Sequence, residues 1–327
     1  MSLMCSNVNN YARFSTNLPS INVAFAVIQR EDGHVLMAER PYGKESAGFW
    51  EFPGGKFESG ESADQAITRE LYEELGIRLK VAYPWICYSH SYPDKIVKLH
   101  VYRVFSWEGT PSGREGQRIS WENPSSVTVM PLLPANEKIL QAIALPLIYA
   151  IINAGPAPGI KVKLMRRLIY LLEQGVRLMQ VRIRSMNPDQ HIQIMRPIVN
   201  LAHKYGAKIL VNGNEPLALK SGADGIHLSA NQLMNMHTRP CTPLLSVSCH
   251  NASELAHAVT LRANFALLSP VRSTPTHPNV SGMGWKEFAD LTNKLPMPVY
   301  AFGGLDSDCL ATAMRHHAYG IALSSNI

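Results

Sequence analysis

The chain has 327 residues, 46% of them hydrophobic and 17% charged, a length and apolar content that can bury a large core and that fit two domains better than one. Its five cysteines (Cys5, Cys87, Cys241, Cys249 and Cys309) include no CxxC pair, which argues against a disulfide framework or structural zinc and points to a reducing, cytoplasmic setting. Residues 1–145 carry 14 Lys and Arg against 16 Asp and Glu, and residues 146–327 carry 17 against 9; with no basic run, no aromatic RNA-binding strand and no apolar segment near the roughly 18–20 residues that span a bilayer, nucleic acid duplexes and membranes are set aside as partners.

Residues 1–18 read as a polar tail without a signal-peptide core, and residues 19–145 as a first domain. From Ile21 the segment INVAFAVIQREDGHVLMAER predicts two strands joined by a hairpin turn at Glu31-Asp32-Gly33. Ser62 then opens a helix over Ala63–Leu75: its hydroxyl caps the first turn, Gln65 reaches back to complete a capping box, and Gly76 follows as the C′ residue. WICYSHSY and VKLHVYRVFSWEG alternate like strands, 109–116 is a turn-rich loop, and 136–144 predicts a helix. This is an α+β pattern with a mixed sheet and helices. After Leu145-Pro146 the rhythm changes to eight short apolar strands (PLIYAIIN, RLMQVRIR, AKILVNG, DGIHLS, PLLSVSCH, FALLSP, PVYAFGG and YGIALSS), most of them followed by a helical stretch. That succession predicts a small (β/α)8 TIM-type barrel over 146–327 that abuts the first domain without a long linker.

The predicted helix carries the chemistry. At 100° per residue Glu70, Glu73 and Glu74 share one face, and Ile67, Leu71 and Leu75 form an apolar stripe on another. Carboxylates at this spacing repel each other and would weaken a plain helix. A solvated acidic face is one reading; the other is a set of hard oxygen ligands for Mg²⁺ or Mn²⁺ that bridge to a substrate diphosphate. The surrounding stretch decides between them: Gly55, Glu61, Arg69-Glu70-Leu71, Glu73-Glu74, Gly76 and Ile77 match every fixed position of G-x5-E-x7-R-E-U-x-E-E-x-G-U, U being aliphatic.

That pattern resembles the Nudix box with high specificity, and the resemblance implies a metal-dependent pyrophosphohydrolase. Carried over residue by residue, it places Gly54, Glu61, Glu70, Glu73 and Glu74 around the metals, with Arg69 holding a carboxylate in position. Glu51-Phe-Pro-Gly-Gly-Lys56, Tyr92-Pro-Asp94, Trp107-Glu-Gly109, Arg114-Glu-Gly-Gln117 and Pro134-Ala-Asn-Glu137 further resemble the MutT branch, the bacterial 8-oxo-dGTP diphosphatases, over most of 21–145. In that likeness Glu115 is a further metal-site carboxylate or base, Arg40 contacts phosphate, Lys56 belongs to the substrate site, Tyr92 and Leu99 line the purine pocket and Asn136 reads the base. Glu70 and Glu115 both stay open as general base.

An asparagine suits such a reader. Guanine presents acceptors at O6 and N7, whereas the 8-oxo base carries a proton on N7, so one amide can donate to O6 and accept from N7–H. The other reading of Asn136 is an N-cap for the helix that follows.

The second half resembles the thiamin phosphate synthase and thiazole tautomerase superfamily through Gln180-Val-Arg182, Gly222-Ala-Asp-Gly-Ile-His-Leu228, Ser246-Val-Ser-Cys-His250, Ser273-Thr-Pro-Thr276, Phe302-Gly-Gly304 and Ser324-Ser325. The likeness implies a phosphate site at Thr274, Thr276, Gly303, Gly304 and Ser325, with a phosphorylated thiazole or thiamin-related ligand. His250 is the acid/base candidate, or a histidine packed at the barrel mouth. The chain departs from the synthase where Asn212-Gly213-Asn214 replaces Asn-Asp-Arg, where Gln232 replaces an aspartate and where His277 replaces a lysine. Without those carboxylates the barrel is expected to act as a phosphate-ligand or regulatory module; the alternative is an active synthase or tautomerase beside a Nudix domain working on another nucleoside or thiamin-related diphosphate.

Overall fold

The computed structural model describes residues 18–326, apart from 156, 185, 274–280 and 294. Thr274 and Thr276 therefore lie outside the described residues, as does all but the last residue of the 1–18 tail.

The first half contains β1 (Ser20–Ile28), β2 (Val35–Glu39), β3 (Trp50–Glu51), β4 (Gly54–Lys56), α1 (Ala63–Leu75), β5 (Arg78–Ser91), β6 (Ile96–Glu108), β7 (Ile119–Glu122) and α2 (Pro134–Ile143). A mixed sheet runs β4-β1-β6-β5, with β1 parallel to β6 and antiparallel to β4, and a second sheet runs β3-β2-β7. Side chains alternate along β1: Ala24, Ala26 and Ile28 face α1, and Phe25 and Val27 face the opposite core with α2. Small residues on one side let α1 sit close to the sheet.

The helix over Ala63–Leu75 forms with its capping box at Ser62 and Gln65 and its left-handed Gly76. The predicted hairpin is corrected. Its turn closes, with Arg30 N donating to His34 O at 3.0 Å, but the pairing beyond it is a single antiparallel bridge, Gln29–Val35. Both edges of β1 are already paired, by β4 and β6, so β2 leaves for the second sheet. The last helix of this half starts at Pro134, ahead of the predicted 136–144, because proline suits a first turn that needs no N–H. Leu133 is its N-cap and Asn136 its third residue, so Asn136 does not cap it.

The second half continues through β8 (Ile148–Ala154), α3 (Ile160–Glu173), β9 (Leu178–Ile183), α4 (Pro188–Lys204), β10 (Lys208–Asn212), α5 (Glu215–Ser221), β11 (Gly225–Leu228) and α6 (Ala230–Met234). It ends with β12 (Leu244–Cys249), α7 (Ala252–Thr260), β13 (Phe265–Leu268), α8 (Gly284–Thr292), β14 (Val299–Ala301), α9 (Leu310–Arg315) and β15 (Gly320–Asn326). All eight predicted strands join one closed parallel barrel, β10-β11-β12-β13-β14-β15-β8-β9. Alternate residues Ala150, Ile152, Met179 and Val181 pack outward on the helices, and Tyr149, Ile151, Leu178, Phe265 and Tyr300 fill the interior. That interior is continuous with the α2 side of the first half: Trp85, Val101, Ile139 and Ile143 belong to the same buried cluster as Tyr300 and Tyr319. Among the described residues no helix is long and apolar enough to cross a membrane.

Because Leu71 is fully buried between α1 and the sheet, Leu71→Ala should cost about 2–5 kcal/mol by leaving a cavity. Ser62→Ala should cost only about 1 kcal/mol through the lost cap. Denaturant midpoints of both variants, at unchanged slope, check the pair.

Candidate active site

The α1 helix lays its C-terminal half against β4. Gly55 makes this approach possible, since a Cβ there would meet the Glu70 carboxyl at 2.2 Å, and Gly54 lets β4 lie against β1, where a Cβ would meet Ala24 O at the same distance. Glu74 accepts a hydrogen bond from Gly54 N–H at 3.0 Å.

Arg69 organises the acidic cluster. It forms a two-pronged pair with Glu61 (Nε to Oε1 3.0 Å, Nη2 to Oε2 2.9 Å), and its Nη1 reaches Glu70 at 2.9 Å and Glu73 at 3.1 Å. Its Nη2 also donates to Lys56 O at 3.0 Å. The Arg69 guanidinium, with the Glu58 N–H, holds the Glu61 carboxyl below its usual range. Burial has the opposite effect on two others. The Glu70 carboxyl is pushed up against the pull of Arg69, and the Glu74 carboxyl is pushed up to about 8 against the pull of Gly54 N–H.

Glu70 and Glu74 face a cavity of about 470 Å³, within the size range of small-molecule sites. Gly54, Lys56, Arg40, Tyr92, Leu99 and Asn136 line the same cavity. Eight of the residues expected in this site are thus brought together. Glu61 and Glu73 are instead turned to Arg69, and Glu115 pairs with Lys44 at 2.5 Å. Among the described residues no three Asp, Glu, His or Cys side chains stand at ligand spacing. A hard divalent cation fits here nonetheless: two partly buried carboxyls sit on one cavity wall, both raised in pKa by desolvation, and added positive charge would offset that.

Arg40 is engaged by its own protein, donating to Glu51 Oε1 at 2.6 Å and to Glu45 O at 2.7 Å. Asn136, 4% exposed, makes no side-chain hydrogen bond among the described residues, so its amide is available to a ligand. Sequence reasoning missed Lys44, Glu51, Lys95 and Gln117, which also line the cavity. Lys44 had one local signal, its place in a glycine-flanked loop four residues beyond Arg40.

At the barrel mouth Gly303 and Gly304 have φ of 95° and 68°, and neither N–H donates to a backbone carbonyl of the described residues. Ser325 is a β15 residue whose backbone pairs with Ile152. His250 is exposed and bonded to Glu254 at 3.2 Å. The enclosed histidine is His227, held between the hydroxyls of Ser246 and Ser248 at 2.8 Å each, its pKa lowered to about 3 by burial and then by Arg182. Gln232 lies against Gly213, where an added Cβ would stand 2.1 Å from its Nε2, and its Oε1 accepts from Ser229 N and Oγ.

Metal-free stability should carry the mark of Glu74. Its folded pKa lies above its ordinary value, so this contribution is full below about pH 4.5 and is lost as pH rises through about 8. In a chelator, chemical denaturation should show stability falling across that window by an amount on the order of a few kcal/mol, and Glu74→Gln should flatten the fall. An equal slope in both proteins contradicts the assignment.

A family model described as NUDIX domain matches residues 24–142, and one described as thiamine monophosphate synthase matches residues 148–327. Over 122 residues the chain is 40% identical to the CTP pyrophosphohydrolase of Escherichia coli (strain K12), covering 37% of this chain and 90% of that protein. It is 37% identical over 123 residues to the 8-oxo-dGTP diphosphatase of Haemophilus influenzae, covering 38% and 90%. In the second half it is 29% identical over 160 residues to the thiamine-phosphate synthase of Prochlorococcus marinus (strain AS9601), covering 48% of this chain and 46% of that protein, just under half its length.

Proposed function

We propose, for a chain that belongs to the Nudix family over residues 24–142 and to the thiamine monophosphate synthase family over residues 148–327, that its first domain is a cytoplasmic, divalent-cation-dependent pyrophosphohydrolase of 8-oxo-dGTP. Its products are 8-oxo-dGMP and pyrophosphate, and its role is sanitation of the nucleotide pool. The observation that carries this reading is the placement of Asn136, with an unused buried amide, on the wall of the same cavity that receives Glu70 and Glu74.

When bound by Glu70, Glu74 and the Gly54 backbone, with Glu61, Glu73 and Glu115 nearby, Mg²⁺ or Mn²⁺ supplies the positive charge that neutralises and polarises the diphosphate. The chain's own groups do the rest. Arg69 fixes Glu70 and Glu73. Glu70 or Glu115 takes a proton from the attacking water, whose oxygen bonds to the β-phosphorus as the bond to the α–β bridging oxygen breaks. All five line the cavity: Lys44, Lys56 and Arg40 would meet the phosphates, and Tyr92 and Leu99 the base. The Asn136 amide donates to O6 and accepts from N7–H.

A second substrate is favoured by the 40% identical relative named for CTP. Cytosine presents an N4 donor beside an N3 acceptor, to which one amide also pairs. In the barrel, Gly213 and Gln232 replace the carboxylates that the family likeness implies for a metal, and Gln232 fills the space over Gly213. The residues present do not fit a metal-bound diphosphate, and we read this domain as a phosphate-ligand or regulatory module.

With Mg²⁺, kcat/KM for 8-oxo-dGTP should exceed that for dGTP and CTP, and Asn136→Ala should remove at least about tenfold of the preference over dGTP. Equal rates on all three nucleotides overturn the base-reading claim. Glu70→Gln should lower kcat by about 10²–10⁴ without lowering the thermal midpoint. Steady-state kinetics with pyrophosphate detection read both.

A further inference from the structure

The helix that carries Asn136 ends against the barrel. The last carbonyls of an α-helix have no intrahelical donor. Here the single Tyr319 hydroxyl proton is shared, donated chiefly to Leu145 O with Ile143 O as the longer arm at 3.3 Å. Tyr319 lies directly before β15 and is 1% exposed. Tyr300 of β14 adds a parallel tie, its hydroxyl donating to Pro146 O at 2.5 Å.

Tyr319 is held in turn from the first domain. Arg103 of β6, 3% exposed, donates from Nη1 to Tyr319 O at 3.2 Å and from Nη2 to Gln29 Oε1 at 3.0 Å. Its guanidinium carbon lies 4.8 Å from the centre of the Tyr319 ring, and the Trp85 ring lies 5.3 Å from the same ring. Arg103 has no carboxylate partner among the described residues, so carbonyl oxygens and aromatic faces are what compensate its buried charge. Separating the domains would strip away the Tyr319 part of that compensation, leaving Gln29 and the Trp85 and Phe105 rings. At its other end α2 is tied within its own domain, by the Tyr88 hydroxyl to Ala135 O and by Leu133 N to Trp50 O at 3.0 Å. A ten-residue helix pinned at both ends has its rotation set, and with it the direction of its third residue, Asn136.

Resting on the reading of Asn136 as base reader, we infer that Tyr319 is a positioning residue for nucleotide selection, and that the barrel floor is a working part of the first domain's pocket. Tyr319→Phe in the full chain tests this, because it keeps the ring against Arg103, Trp85 and Tyr300 and removes only the donor. The ratio of kcat/KM for 8-oxo-dGTP to that for dGTP should fall by about tenfold, mainly through KM, with kcat on dGTP within about twofold of the parent. Amide exchange across residues 136–143 should quicken. A ratio that stays at the parent value overturns the inference. If the parent itself shows no preference for 8-oxo-dGTP, the reading of Asn136 fails separately and exchange decides the clamp: faster exchange in Tyr319→Phe upholds it, unchanged exchange overturns it. Should Tyr319→Phe not fold, Arg103→Met, which removes the donors holding the Tyr319 carbonyl, is judged by the same outcomes.

Discussion

Carboxylates crowded onto one turn of helix repel each other, and this protein resolves the conflict with a single guanidinium. Arg69 draws Glu61, Glu70 and Glu73 to itself. Glu74 is left outside that arrangement, with one backbone N–H for company and its face toward the cavity. The glycine at position 55, the close seat of α1 and the raised pKa of two partly buried carboxyls all follow from packing this turn against a strand. Removing Arg69 would free three negative charges at once, so it cannot be regarded as a lone surface pair of the weakly contributing kind.

The second dependence runs through the junction. A hydrophobic cluster passes from the α2 side of the first sheet into the barrel interior without a break. Tyr300 and Tyr319 bond the carbonyls of residues 143–146, which are also the connection between the halves. The start of α2 forms part of the wall of the first half's cavity, and its end meets the barrel at this junction.

Features with local causes were legible in the sequence. Ser62, Gln65 and Gly76 delimit α1 to the residue because caps act on adjacent backbone groups. The eight barrel strands announce themselves as short apolar runs, and the Nudix spacing gathers Gly54, Glu70 and Glu74 at one wall. Features set by distant partners were not. Nothing near Val35 tells β2 to leave β1 for β7, which lies more than 80 residues further along the chain. Arg103 looks like any outward-facing arginine of a strand until Tyr319, 216 residues away, covers it. Lys44 with Glu115 is an ion pair between loops, and Arg40 with Glu51 joins a loop to the two-residue β3, so no periodicity marks them. Asn136 shows the intermediate case. Its neighbours marked a helix start and the family resemblance a base reader; the earlier entry at Pro134 rules out the cap, and the residue lines the cavity.

On the proposed function, Glu70 and Glu74 face this cavity to hold a divalent cation on a nucleotide's polyphosphate. Anomalous diffraction from crystals grown with Mn²⁺ and a non-hydrolysable 8-oxo-dGTP analogue tests it most directly. An anomalous peak should lie between those two carboxylates and the phosphates, with the base against Asn136. A nucleotide bound elsewhere, or a cavity with no anomalous peak and Glu74 still on Gly54 N–H, would contradict it.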